Sequence, residues 1–173
     1  MGKFNNKISA EYTPPKNWVL ERALSYKNEE MEVEALEAIG VKCPSNRITC
    51  KKGFKTDLAS VPRLLWNLIA PWDVARAAII HDLLYKRIRQ YRVNGEKDFY
   101  GHKIIDENKV KKAKKASDKI FLMAMKDAEP SVAKWKIYSA YYAVVLFGRW
   151  SIIPRDEDMN NGSYRKSLLG DST

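Results

Sequence analysis

The chain has 173 residues, 45% hydrophobic and 30% charged, a composition typical of one globular domain rather than of a disordered or fibrous protein. Its 31 Lys and Arg against 21 Asp and Glu leave a formal net charge of +10, which favours anionic partners. No apolar stretch approaches the roughly 20 residues of a membrane span, and the N-terminus has no apolar signal-peptide core. We therefore expect a soluble protein that is made in a cytoplasm and is not secreted through a signal peptide.

The order of polar, strand-type and helical segments predicts one domain with a mobile extension at each end. Residues 1–16 are polar and contain two consecutive prolines, so we expect a flexible arm. Residues 17–153 should form a single domain, with strands over 17–59 and helices over 60–153, and residues 154–173 a mobile tail. The predicted fold class is α+β, a small N-terminal antiparallel β-sheet followed by a bundle of about four α-helices.

Three segments of the N-terminal part favour strands. Residues 18–26 read as a first strand, and residues 31–39 alternate Glu with apolar side chains, as a half-buried strand does. Residues 47–50 and 54–56 flank a Lys-Lys-Gly turn, which predicts a tight hairpin or a bulged edge. Cys43 and Cys50 lack the close second ligands of a zinc site, so we expect two reduced thiols, with a disulfide as the alternative.

The remaining chain predicts four helices, over about 61–69, 73–92, 107–127 and 131–150. Ser60, Asp73 and Ser131 can cap the first, second and fourth of them. The second helix is apolar nearly all round, so it should be central and buried.

His81 lies in the middle of this apolar helix, with Asp82 beside it and Tyr85 one turn later. Burial of an imidazole and a carboxylate is costly unless each is paired or holds a metal. Two interpretations follow: a core histidine bonded to a backbone carbonyl, with Asp82 facing an arginine or a helix end, or a chemical site.

Two further carboxylates could take part. Asp118, on the third helix, could pair with a neighbouring lysine in solvent, or face His81 and hold its tautomer. Asp57 could ligate a cation or cap the following helix, in a loop where Thr56 and Ser60 are supporting residues.

Basic residues crowd the end of the second helix and the start of the third. If these helices pack antiparallel, one positive patch results, formed by Arg87, Arg89, Lys109, Lys111, Lys112, Lys114 and Lys115. It is either a solvated face that only confers solubility or a surface for anionic phospholipid or nucleic acid. The last helix should place most of its aromatic residues in the core, with some free for an interfacial belt or a subunit contact: Trp135, Tyr138, Tyr141, Tyr142, Phe147 and Trp150.

Four segments in order, GFKTDLASVPR at 53–63, AAIIHDLLY at 77–85, ASD at 116–118 and FG at 147–148, carry a resemblance to a known family. Over about residues 17–150 the chain resembles domain-of-unknown-function family 1353, which is common in tailed bacteriophages and prophages. The resemblance implies a phage origin, with a place in the host cytoplasm or the virion. It implies no activity.

The buried His-Asp-x-x-Tyr helix, followed by an Asp on a later helix, is similar to the active site of phospholipases A2, particularly the parvoviral type. This likeness implies that His81 is the general base, that Asp82 binds Ca²⁺, and that Asp118 orients His81 while Tyr85 hydrogen-bonds Asp118. The glycine-rich calcium loop of those enzymes is absent here, so Asp57 or backbone carbonyls of residues 56–60 would have to replace it.

Three functions remain open at this point. The first is a phage-encoded, Ca²⁺-dependent phospholipase A2-like hydrolase. The second is a non-catalytic virion or tail-assembly protein, in which the polar residues form a buried network and the partners are other phage structural proteins. The third is a basic accessory protein that binds nucleic acid. No histidine precedes His81 to serve as the upstream metal ligand of an HD-type phosphohydrolase, which argues against that class.

Overall fold

The structure is a computed structural model, and it describes residues 1–14, 17–57, 74–128, 131–156 and 158–159. Short strands dominate the first third of the chain and three long helices the rest, so the predicted α+β class is confirmed. The strands are β1 (Lys3–Phe4), β2 (Ala10–Thr13), β3 (Asn17–Leu20), β4 (Leu24–Lys27), β5 (Arg47–Cys50), β6 (Lys55–Thr56), β7 (Glu96–Lys97) and β8 (Lys103–Ile104). The helices are α1 (Glu34–Glu37), α2 (Ala75–Asn94), α3 (Glu107–Lys126) and α4 (Lys134–Ser151), with a 3₁₀ turn at Pro44–Asn46.

The N-terminal strands form two antiparallel sheets, in the orders β1-β4-β5 and β2-β3-β6. The single strand predicted over 18–26 is therefore wrong, because the chain bends after β3 and β4 joins the other sheet. The predicted hairpin is also wrong, since β5 and β6 pair with different strands. Gly53, at φ +82°, turns the chain between the sheets, and its N–H donates to the carbonyl of Leu20 at 2.7 Å.

Residues 31–39, predicted as a strand, contain the short helix α1. The N–H of Glu37 bonds the carbonyl of Val33 and the N–H of Ala38 bonds that of Glu34, both at 2.9 Å. Leu36 and Ile39, three residues apart, are buried on one side of this turn. The alternation of Glu with apolar residues is also compatible with a single helical turn. Burial of Leu36 and Ile39 on one side favours that helical turn over a strand.

The two predicted extensions are held against the domain. In the expected flexible arm, β1 pairs with β4, β2 pairs with β3, and the N–H of Gly2 donates to Asp127 Oδ2 at 2.8 Å. In the expected tail, Asp158 is buried and its Oδ2 lies 2.6 Å from Arg89 Nε. The flexible arm is thus wrong for residues 3–4 and 10–13, and the mobile tail is wrong for Asp158; residues 157 and 160–173 lie outside the described part.

The helices α2, α3 and α4 agree with the predicted second, third and fourth helices to within a few residues, but α4 has Ala133 rather than Ser131 at its N-cap. The predicted helix over 61–69 and the Ser60 and Asp73 caps lie outside the described residues. α2 is central and buried, as predicted, and packs against α3 and the sheet of β4 and β5. Among the described helices, none is both long and apolar enough to cross a membrane.

Both cysteines are buried free thiols, so the alternative of a disulfide is wrong. Burial raises the pKa of Cys43 to about 11 and raises that of Cys50 further. Both therefore stay protonated near neutral pH and act as small core residues.

We expect Asp158→Ala to lower the free energy of unfolding by about 3 kcal/mol, because it leaves the buried Arg89 guanidinium without its carboxylate. Glu107→Ala, which removes an exposed partner of Arg92, is the matched control and should cost less than about 1 kcal/mol. Urea unfolding of the full chain measures both. Equal losses in the two variants would contradict the docking of residue 158.

Candidate functional site

The structure brings His81 of α2 and Asp118 of α3 together. Nε2 of His81 lies 3.2 Å from Oδ1 of Asp118, and both side chains are buried. Of the two interpretations of Asp118, the observed geometry agrees with the one in which its carboxylate faces the imidazole. Since an ionised carboxylate only accepts hydrogen bonds, Nε2 carries the proton in this contact.

Two more donors complete the shell of Asp118. The hydroxyl of Tyr85 donates to Oδ1 at 2.7 Å, and Nζ of Lys114 donates to Oδ2 at 2.7 Å. Burial alone would raise the pKa of Asp118, but the hydrogen bonds from His81, Lys114 and Tyr85 outweigh it and lower that pKa. Burial and the adjacent carboxylate raise the pKa of Tyr85, so its hydroxyl stays a donor. Asp118 is therefore a fixed anion between helices.

Aromatic rings hold the imidazole in place. The centroid of the His81 ring lies 4.0 Å from that of Tyr85 and 4.9 Å from that of Phe121, on α3. The residue is only 1% exposed. The ring consequently has one orientation, set by packing on its faces and by Asp118 at its edge.

Gly148 of α4 belongs to the same site, although sequence reasoning assigned it no role beyond its place in the FG pair. A Cβ at this position would lie 2.2 Å from the Tyr85 hydroxyl oxygen, far inside contact distance. Only glycine lets α4 approach Tyr85 this closely. The one indication in the sequence is that Gly148 is a single small residue among the bulky residues 144–150. Helical periodicity alone does not assign a role to such a residue.

On the same helix as His81, the half-buried carboxylate of Asp82 faces the sheet. The hydroxyl of Thr56, on β6, donates to Oδ2 of Asp82, which gives Thr56 the supporting position predicted for it. Oδ2 of Asp57 lies 3.7 Å from Nη1 of Arg155. Ser60 lies outside the described residues. Within the described ranges, no three His, Cys, Asp or Glu side chains cluster closely enough to hold a metal.

Only some residues of the predicted basic patch are exposed. Arg89 is buried against Asp158, Lys114 is taken up by Asp118, and Lys109 pairs with Glu96. The inclusion of Arg89 was therefore wrong, because that position faces the core side of α2. The exposed members are Arg87, Lys111, Lys112 and Lys115.

Gly148→Ala should push the Tyr85 hydroxyl off Asp118 and lower the free energy of unfolding by about 1–3 kcal/mol. Tyr85→Phe removes the hydroxyl oxygen that the new Cβ would meet. In that background, Gly148→Ala should therefore lower the free energy of unfolding clearly less. A double-mutant cycle by urea unfolding measures this coupling. Additive losses would contradict the contact.

The lowered pKa of Asp118 makes this carboxylate a source of stability that is present above its ordinary pKa and disappears as the pH falls below it. We expect Asp118→Asn to lower the free energy of unfolding by about 3 kcal/mol at neutral pH, with the difference from wild type shrinking from about pH 5 downwards. Asp156→Asn, at an exposed carboxylate, is the control and should show neither effect. A difference independent of pH would show that Asp118 is not stabilised as an anion.

A model of a family described as proteins of unknown function, DUF1353, matches residues 31–144. This range is narrower than the resemblance over 17–150, and it contains Thr56, His81, Asp82, Tyr85 and Asp118. No curated protein and no solved structure matches the chain. Because the match covers well over half of the sequence, the chain belongs to the DUF1353 family.

Proposed function

We propose that this protein is a phage-encoded lipid-ester hydrolase that works in the manner of phospholipase A2, with His81 as its general base. The observation that carries the proposal is the buried contact between Nε2 of His81 and Oδ1 of Asp118, with Tyr85 donating to the same oxygen. A carboxylate that fixes the imidazole tautomer in this way is the arrangement that general-base catalysis requires.

Each side chain has a defined part in the proposed reaction. Nδ1 of His81 takes a proton from the attacking water, and later returns it to the leaving alcohol. Asp118 stabilises the imidazolium formed in between, and its low pKa keeps it from taking the proton itself. Tyr85 and Lys114 hold Asp118 and do not touch the substrate.

The proposed cofactor is Ca²⁺, which prefers oxygen ligands. Among the described residues, Asp82 offers a half-buried carboxylate next to His81, and Thr56 a hydroxyl against that carboxylate. These two would hold the ion together with backbone carbonyls or water, whereas Asp57 would first have to leave Arg155. When bound, the ion would polarise the ester carbonyl and stabilise the oxyanion.

Burial of His81 favours a second candidate, a non-catalytic virion or tail-assembly protein. The ring is 1% exposed, so a substrate would have to displace packed side chains to reach it. The donors to Asp118 also join α2 and α3 into one polar network, which fixes their register without any chemistry. In this candidate the partners are other phage structural proteins.

The exposed lysines of α3 support the third candidate, a nucleic-acid-binding accessory protein. Lys111, Lys112 and Lys115 are exposed at the first half of the helix. Affinity for DNA that falls steeply with salt and is lost on replacing these three lysines would support it.

The decisive experiment is fatty-acid release from mixed phosphatidylcholine and phosphatidylglycerol vesicles, with Ca²⁺ or with EDTA. We expect release that EDTA abolishes and that His81→Gln reduces by about 100-fold or more, the usual effect of removing a general base. His102→Gln, at the exposed second histidine of the chain, is the matched control and should keep full activity.

Wild type that releases no fatty acid, or release unchanged in His81→Gln, would contradict the hydrolase. If, in addition, His81→Gln strongly lowers the free energy of unfolding, the structural candidate takes its place.

A further inference from the structure

One side of α4 exposes large apolar side chains. We call this set the outer α4 face, and each member is 39–63% exposed: Trp135, Tyr138, Tyr142, Val145, Leu146, Trp150 and, just past the helix, Ile153. Phe147 stacks on Trp150, with ring centroids 6.0 Å apart, and widens the face at one end. The sequence had placed most of these aromatic rings in the core, and for this face that was wrong.

Helical spacing makes the outer α4 face continuous. Its members recur every three or four residues along α4, so at 3.6 residues per turn they form one stripe. The opposite stripe, which includes Ile137, Ala140 and Val144, is buried. A helix that is apolar on both sides is normally covered on both. Here the inner side is buried, whereas the outer face stays 39–63% exposed, even where Nζ of Lys126 lies 5.3 Å from the ring centroid of Tyr138.

The charged residues of α4 itself are all cations. α4 contains Lys134, Lys136 and Arg149 and neither Asp nor Glu. Nζ of Lys136 lies 5.9 Å from the ring centroid of Trp135, and the guanidinium carbon of Arg149 lies 4.2 Å from that of Trp150. An aromatic ring thus lies beside a positive charge at each end of the helix.

We propose that the outer α4 face docks on an anionic lipid surface, with α4 lying in the plane of the headgroups. Trp and Tyr rings favour the boundary between headgroups and acyl chains, while Lys and Arg bind anionic headgroups. The aliphatic Val145 and Leu146, between the aromatic ends, enter the apolar layer. The inference deepens the proposed function and rests on it for the view that this lipid is the substrate, but binding itself does not require His81.

Charge argues against a second copy of the chain as the occupant. Two outer α4 faces packed together would bring Lys134, Lys136 and Arg149 of both copies into one interface, with no acidic residue on α4 to pair with them. The net charge of +10 on each copy adds to the repulsion.

Nucleic acid fits the outer α4 face less well than lipid does. Aromatic rings can stack on bases, but exposed Val145, Leu146 and Ile153 offer no π face to a base and gain only from an apolar surrounding.

The test is cosedimentation of the full chain with phosphatidylcholine vesicles, with and without phosphatidylglycerol, at low ionic strength. We expect binding only where phosphatidylglycerol is present. The double substitution Leu146→Ser with Trp150→Ser should weaken that binding at least about tenfold. Phe99→Ser with Tyr100→Ser is the matched control, because these side chains are 96% and 80% exposed at the turn between β7 and β8; it should bind as wild type does.

A second set of variants tests the charges without touching the apolar stripe. Replacing Lys134, Lys136 and Arg149 by Gln should weaken binding by about fivefold per charge removed. The same change at the exposed Lys51, Lys52 and Lys55 should have a clearly smaller effect. Circular dichroism of each variant confirms that it folds.

The outcomes separate this inference from the hydrolase proposal. His81→Gln that binds vesicles like wild type, with or without lipid hydrolysis by wild type, supports docking. Binding unaffected by both α4 variants overturns it. The inference is also overturned if the protein binds no vesicles and forms a dimer that the double variant Leu146→Ser with Trp150→Ser dissociates. Preferential, salt-sensitive binding of single-stranded DNA through α4 would overturn it as well.

Discussion

The buried carboxylate of Asp118 is the constraint on which the helical half of this protein depends. An anion removed from water requires donors with fixed geometry, and it obtains them from α2 through His81 and Tyr85 and from its own helix through Lys114. The register of α2 against α3 is therefore set by electrostatics as well as by packing. α4 is tied to the same point, since Gly148 leaves room for the hydroxyl of Tyr85.

This arrangement would suit catalysis and structure equally, and that is why the two leading candidate functions share their residues. A tautomer held by a buried carboxylate is ready to accept a proton, and the same contact resists any sliding of the helices. What distinguishes the candidates is whether a reacting molecule reaches Nδ1. In the hydrolase candidate, the half-buried Asp82, which accepts a hydrogen bond from Thr56, would be the ligand of the ion.

Much of the helical half could be predicted from the sequence, because apolar periodicity and residue type act locally there. The central position of α2 and the candidate set of His81, Asp82, Tyr85 and Asp118 followed from the apolar helix around His81 and from the phospholipase resemblance. Gly148 could not be given a role, because its importance lies in a contact with a residue 63 positions earlier in the chain.

The strand region was harder to predict, because pairing depends on partners that are distant in sequence. Residues 31–39 fit both a strand and a helical turn, and the burial of Leu36 chose the turn. β5 and β6 lie close together in the chain but join different sheets. The aromatic rings of α4 were assigned to the core by their type, although only the fold decides which side of a helix is covered.

The ion pair of Arg89 with Asp158 has a consequence for where the folding unit ends. Composition alone placed that boundary at residue 153, where polar residues begin. A chain shortened there would keep every apolar side chain of α2 and still leave a guanidinium enclosed in the core with its counter-ion missing. The domain thus extends at least to Asp158, which contributes a charge and no apolar surface. A truncation designed to give the minimal stable unit should therefore retain Asp158.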